Sequence, residues 1–449
     1  MAQNSFPHRG VLVALAVLLA ATVFVALQFG RRPPADSPSP APQRSAPKAA
    51  GNRSEGRPPS SSGRTTLASA SRARPPEVVV GEKLTRFTNS RLAMVQALAA
   101  SNHMAVPPLM TSFFAAVEAR DWDRIGELAQ AVQASSPPDP SQEQAWLLMK
   151  QAAKETQGVA ESVHNWPAGR LLQYGETILD ALKPGMVYVG GTDGGRFIPT
   201  LLNETTDGER HVVLTQNALA DASYLQYLQY QYDGQLSLLS SADSQKCFQE
   251  YLTDAQGRAS HDQDSPSEPP QLRPGESVQI TDGRVRVSGQ TAVMAINERL
   301  LAKLQAKNPD LSFALEESFS LPSTYEGALP RGPLLELRAA THDNPLTEAR
   351  AAESLEYWRN VQQEVATEDP SSELRKSYAK MAVAQANLFN QHGLAAAAEQ
   401  GYRLARELAP TLPEAVFSLA SLLSQQGHVA EAQELLQAHG AGKSAPAAK

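Results

Sequence analysis

The run Pro184-Gly-Met-Val-Tyr-Val-Gly-Gly-Thr-Asp-Gly-Gly-Arg-Phe-Ile-Pro-Thr200 constrains this chain more than any other stretch. A short apolar strand, Met186 to Val189, leads into a polar turn and back to apolar residues. Four glycines, Gly190, Gly191, Gly194 and Gly195, enclose Thr192 and Asp193. Backbone this rich in glycine is needed only where the chain bends tightly or something approaches it closely.

The surroundings of that turn mix strands with helices. Leu171 to Leu182 has an amphipathic helical pattern, and His211 to Thr215 reads as a second buried strand. A helix is expected from Ala218 to about Tyr232. Ser277 to Val287 alternates apolar and polar residues about Asp282-Gly283, the composition of a type I′ hairpin turn. Thr291 to Lys307 carries Val293, Ile296, Leu300 and Leu304 on one helical face, and Leu311, Phe313 and Leu315 alternate as a further strand. Between Gln256 and Pro274 the Ser/Asp/Pro/Glu-rich composition predicts a loop. Elements in this order predict an α/β layer over 166–340.

Toward the N-terminus the reading changes. Gly10 to Phe29 is an uncharged apolar run of about the length that spans a bilayer. A signal peptide is the alternative, but its apolar core would be shorter and followed by a small-residue cleavage site. Here Ala14-Leu15-Ala16 falls inside the run, so an uncleaved anchor over 10–29 is expected, behind a short tail over 1–9. From Arg31 the composition collapses to Pro, Ser, Ala, Arg and Gly, which cannot bury enough apolar surface to fold. A disordered linker over 30–80 follows. Its arginines solvate a spacer or touch anionic lipid, and their dispersion favours the spacer. Arg31 and Arg32 outnumber Arg9, which taken alone puts the bulk of the chain on the inner side.

Residues 85–165 keep helical spacing through Phe113, Phe114, Val117, Ile125, Leu128 and Val132, with a break at Asp121-Trp122-Asp123. A further helix follows from Gln142. The last third is helical and repeats. Gly393, Ala398 and Tyr402 recur 34 residues later as Gly427, Ala432 and Leu436, and Ala386 with Phe389 as Ala420 with Leu423. Small residues where helices cross, large ones between them and this period resemble the tetratricopeptide repeat. His439 departs from it, standing where a small residue is usual. Two repeats are too few for a stable stack, so helices from about Leu346 to Val365 are expected to complete an array over 346–440, before a disordered tail over 441–449.

The whole is expected to be an α/β central domain, a mixed sheet flanked by helices, with an all-α tetratricopeptide-like tail behind an N-terminal transmembrane helix. Net charge of −7 argues against nucleic acid as a partner. Cys247 is the single cysteine, which excludes an intramolecular disulfide and any multi-cysteine metal site. The histidines show no zinc-binding spacing, and neither a nucleophile elbow nor a phosphate-binding loop of the GK[ST] type occurs. No catalytic residue, cofactor or metal is assigned. Glu316-Glu317 after the last strand reads as an acid/base pair or, with better support, as a solvated strand end. The turn is not a dinucleotide fingerprint, because Thr192 stands where a glycine is required. A ligand-binding role for Gly190, Gly191, Thr192, Asp193, Gly194, Gly195 and Arg196, with Asn217 and Asp221 converging from the second strand, competes with a structural turn whose Asp193 caps the next segment.

Leu182-Lys-Pro-Gly-Met-Val-Tyr-Val-Gly-Gly-Thr-Asp, Arg196-Phe-Ile-Pro and His211-Val-Val-Leu-Thr-Gln-Asn with Tyr224-Leu together resemble the soluble C-terminal part of bacterial membrane proteins related to protein O-mannosyltransferases. That resemblance, with Leu311 to Leu337, implies an extracytoplasmic domain tied to glycan or envelope assembly. It does not carry over transferase activity, since the family's multi-spanning portion is missing from this sequence. The expected function is a single-pass membrane-anchored binding protein that meets protein partners through its helical repeats. The competing expectation is an envelope glycan-related enzyme or a sensor of a sugar or other small polar ligand.

Overall fold

Strands too short to stand alone are stacked here between helices. The structure is a computed structural model that describes residues 74–137, 139–191, 194–281, 284–316, 322–337 and 345–444. Four helices come first: α1 (Pro76–Ser101), α2 (Pro108–Ala119), α3 (Trp122–Ala134) and α4 (Glu143–Asn165). The predicted linker 30–80 and the helical start at 85 are corrected at their junction, because α1 begins at Pro76. Proline suits the first helical turn, and Val80, Leu84 and Phe87 bury one face from there on. The break near Asp121 is as expected. Arg120 takes a left-handed φ of 55° and Asp121 caps α3 by accepting from the Arg124 N–H.

Then α5 (Ala168–Leu179), β1 (Val187–Gly190), α6 (Gly194–Glu204), β2 (Val213–Thr215), α7 (Ala222–Gln231) and α8 (Ser241–Asp264) follow. After them come β3 (Ser277–Thr281), β4 (Arg284–Ser288), α9 (Gln290–Lys307), β5 (Phe313–Leu315), the single turn α10 (Pro322–Tyr325), β6 (Leu329–Arg331) and β7 (Leu334–Leu337). The sheet order is β2-β1-β5-β7-β6, with β1 parallel to β2 and β5, and β7 antiparallel to β5 and β6. Every residue of β1, β2, β5 and β7 is buried, as for strands covered on both faces.

Two expectations change. The stretch predicted as loop from Gln256 is helical to Asp264, held by the Arg258–Asp254 pair one turn apart and by burial of Ala255 and Ala259. The β3–β4 hairpin pairs Val278 with Val287 and Ile280 with Val285 as expected, but it is a separate ribbon on α8 and α9. Its turn, Asp282-Gly283, lies outside the described residues.

The last third is all helix: α11 (Glu348–Glu364), α12 (Glu373–Gln391), α13 (Ala395–Leu408), α14 (Pro413–Gln425) and α15 (Val429–Ser444). The α12–α13 and α14–α15 hairpins turn at Gly393 (φ +76°) and Gly427 (φ +85°), a left-handed conformation that favours glycine. Gln385 of α12 ties this part to the sheet. Its amide donates to the Gly332 and Leu334 carbonyls at 2.8 and 3.1 Å and accepts from the Trp358 indole N–H at 3.0 Å. One core runs from Val80 of α1 to Leu435 of α15. Among the described residues the chain is thus mostly helical, with 15 α-helices around a small mixed sheet. No helix among them is long and apolar enough to cross a membrane. The expected anchor 10–29 lies outside the described residues.

Candidate functional site

The carboxyl ends of the three parallel strands share one edge. Gly190 of β1 stands opposite Thr215 of β2, and Val189 opposite Leu315 of β5. The chain leaves β1 through α6 toward β2, then returns to the other side of β1 to form β5. Such a reversal opens a crevice at the strand ends, the usual ligand position in open α/β sheets.

Glu316 fills that position. Its backbone N–H continues the sheet by donating to the Val189 carbonyl at 3.1 Å. Its partly exposed carboxylate accepts from the Tyr174 hydroxyl, from the Tyr188 hydroxyl at 2.9 Å and from the Gly191 N–H at 3.2 Å. Tyr188 also donates to the Gly195 carbonyl at 2.6 Å. Burial, with Glu316 beside it, pushes the Tyr174 hydroxyl well above the ordinary phenol range, so it stays a donor. The glycines now have a physical reason. A Cβ on Gly195 would come within 1.8 Å of the Glu316 Oε2, and one on Gly190 within 2.4 Å of the Gly195 carbonyl oxygen. A carboxylate already faces the start of α6, where the helix dipole would otherwise favour an anionic ligand.

Behind α6 lies a layer of buried charge. Arg196 pairs with Glu155 of α4 and packs over the rings of Phe197 and Tyr224 at 4.8 and 5.0 Å. Arg91 of α1 pairs with Glu204 and covers Phe87 at 4.5 Å. Burial works against the charge of Arg196, yet Glu155 and the tyrosines hold its ionisation above the usual guanidinium range. Burial pushes the Glu204 carboxyl up, against the pull of Arg91. Between these groups is a cavity of about 10 Å³, lined among others by Thr215, Tyr224 and Tyr227, with room for roughly one water.

The residues singled out from the sequence therefore occupy separate environments. Gly190 and Gly191 end β1 and Gly194 and Gly195 open α6. Thr192 and Asp193 lie outside the described residues. Arg196 belongs to the buried pair, Asn217 is exposed in a short 3-10 turn, and Asp221 caps α7 by accepting from the Ser223 and Tyr224 N–H groups. Glu316, weighed in the sequence as a solvated strand end, is the residue around which the edge is built. Its tyrosine partners carried no sequence signal, since an aromatic on an apolar face reads as core. Directly after Thr215 of β2, Gln216 is 2% exposed, and its Nε2 has no hydrogen-bond partner among the described residues.

Cys247 is buried, and burial pushes its thiol above the usual range. Among the described residues no group of three or more His, Cys, Asp or Glu is placed to hold a metal ion. Comparison with family models, curated proteins and solved structures gave no match to this chain.

Proposed function

We propose that this chain is a binding protein, tethered to a bacterial membrane by residues 10–29, that meets protein partners through tetratricopeptide-like hairpins. The observation carrying this reading is the pair of hairpins repeated at 34 residues, α12–α13 and α14–α15, of which the second leaves Phe417 52% exposed. A large aromatic so exposed is a contact surface in search of a partner more than a core residue. The inner side of the first hairpin is already occupied, because α12 packs on β7 and α5 of the chain's own body. Binding then falls to the second hairpin. Its envelope setting rests on the resemblance to O-mannosyltransferase-related proteins and the Pro-rich linker. A photo-activatable amino acid at position 417 of the full chain is expected to give discrete protein adducts in cells. Adducts no more abundant than from a control position at exposed Gln229 would end this reading.

A second reading has its own observation, the Gln216 amide nitrogen, which has no hydrogen-bond partner among the described residues. Buried polar groups are rarely left so, and a small neutral polar ligand, a glycan hydroxyl among them, would satisfy it. Millimolar N-acetylglucosamine is then expected to raise the melting temperature of the native chain and not of Gln216→Met. The variant itself is expected to melt higher, because a buried amide nitrogen with no partner among the described residues is gone. No ligand shift in the native chain, or an equal one in both, removes this reading.

A further inference from the structure

The α14–α15 hairpin differs from α12–α13 in what it leaves uncovered. Tyr402 of α13 is 2% exposed, and α14 packs against that helix. Leu436 stands 34 residues on, at the same place on α15, and is 40% exposed. Val429, seven residues earlier and so on the same side of the helix, is 49% exposed. On α14, Phe417 rests edge-on against His439 at 5.6 Å, where the preceding hairpin has the smaller Ala405. The position that Tyr402 buries in the first hairpin is thus open at Leu436 in the second. What fits there by shape is another helix, laid where α14 lies on α13.

Charge narrows the occupant. Residues 411–439 contain Glu414, Glu431 and Glu434 and no lysine or arginine. Glu431 already takes Arg403 of the preceding hairpin at 2.7 Å, so this surface accepts a guanidinium from a neighbouring helix. Glu434, two residues before Leu436, is exposed. A second copy of the same hairpin would bring like charges together, whereas a helix with a basic flank would not.

The geometry points to a docking face for an amphipathic helix of a partner protein, its apolar side on Phe417, Val429 and Leu436 and its lysines or arginines beside Glu434. This rests on the binding role proposed above and assigns the chemistry of the partner. A covered strip one short helix long is small for a protein interface, so the expected affinity is modest and falls with salt.

The probe is a synthetic helix of about 18 residues, five turns, with leucine on one face and lysine on the flanks. Its control carries glutamate in place of lysine. Fluorescence anisotropy with the full detergent-solubilised chain is expected to show the lysine helix binding at roughly 10–100 μM. Phe417→Glu and Leu436→Glu each weaken it by about tenfold or more, and the glutamate helix does not bind. Both substitutions are at exposed sites, and unchanged melting temperatures would verify that the hairpin stays folded. Equal binding of the two helices, or binding indifferent to both substitutions, overturns the proposal. So does a concentration-dependent doubling of mass abolished by Leu436→Glu, which would make a second copy the occupant. If the probe fails while position 417 still gives protein adducts in cells, the binding role stands and only the basic-helix chemistry falls.

Discussion

Arg196→Met is expected to destabilise the chain by about 3–5 kcal/mol, seen as a large fall in denaturant midpoint, because it strands Glu155 in the interior. The Glu155 side chain is 4% exposed, and besides Arg196 its described partner is the Gln151 amide at 2.7 Å. An uncompensated buried carboxylate must either pay its desolvation or take up a proton. The double variant Glu155→Met/Arg196→Met removes both charges and leaves apolar side chains among Phe197, Tyr224 and the neighbouring helices. It is expected to recover most of the loss, since a buried pair commonly contributes little over a packed apolar substitute. A ligand-binding arginine would behave otherwise: its loss would leave stability nearly unchanged and abolish a ligand effect. Similar stability of the single variant and the native chain would therefore overturn the structural role assigned to Arg196.

Local patterns are legible in the linear chain, whereas contacts between residues far apart in it are not. Periodic features were legible: the strand before Gly190, the β3–β4 hairpin, the face of α9 and the 34-residue spacing of Gly393 and Gly427. Each is local, and its pattern survives in the linear chain. What was hidden depends on partners far apart in sequence. Arg196 beside a glycine turn looks like a ligand contact until Glu155, 41 residues earlier, is seen to reach it from α4. Gln385 sits among alanines in a helix and gives no hint that its amide joins α11, α12 and the turn between β6 and β7. Those two strands have three and four residues, too short for alternation to register. The helix through Gln256–Asp264 is hidden by polar composition, because only Ala259 of its buried face falls in that stretch.

Gly195→Ala is expected to be the more informative of two glycine substitutions at the turn. The new methyl would lie 1.8 Å from the Glu316 Oε2 and 2.4 Å from the carboxyl carbon, so the carboxylate must leave its place. Displacing it strips the Tyr174 hydroxyl and the Gly191 N–H of their acceptor, while the Tyr188 hydroxyl keeps the Gly195 carbonyl, and a loss of about 3 kcal/mol follows from overpacking and unsatisfied donors together. Gly195→Ala/Glu316→Ala removes the colliding group and opens space for the methyl. If the glycine is there to admit Glu316, the double variant is more stable than the sum of the two single losses predicts, by more than about 1 kcal/mol in a double-mutant cycle. Gly190→Ala offers no such relief. Its methyl meets the Gly195 backbone carbonyl at 2.4 Å, and no change at Glu316 moves that atom. Additive losses for Gly195 and Glu316 would mean that the turn needs its glycine for backbone reasons alone. Glu316 would then be a bystander at the strand edge.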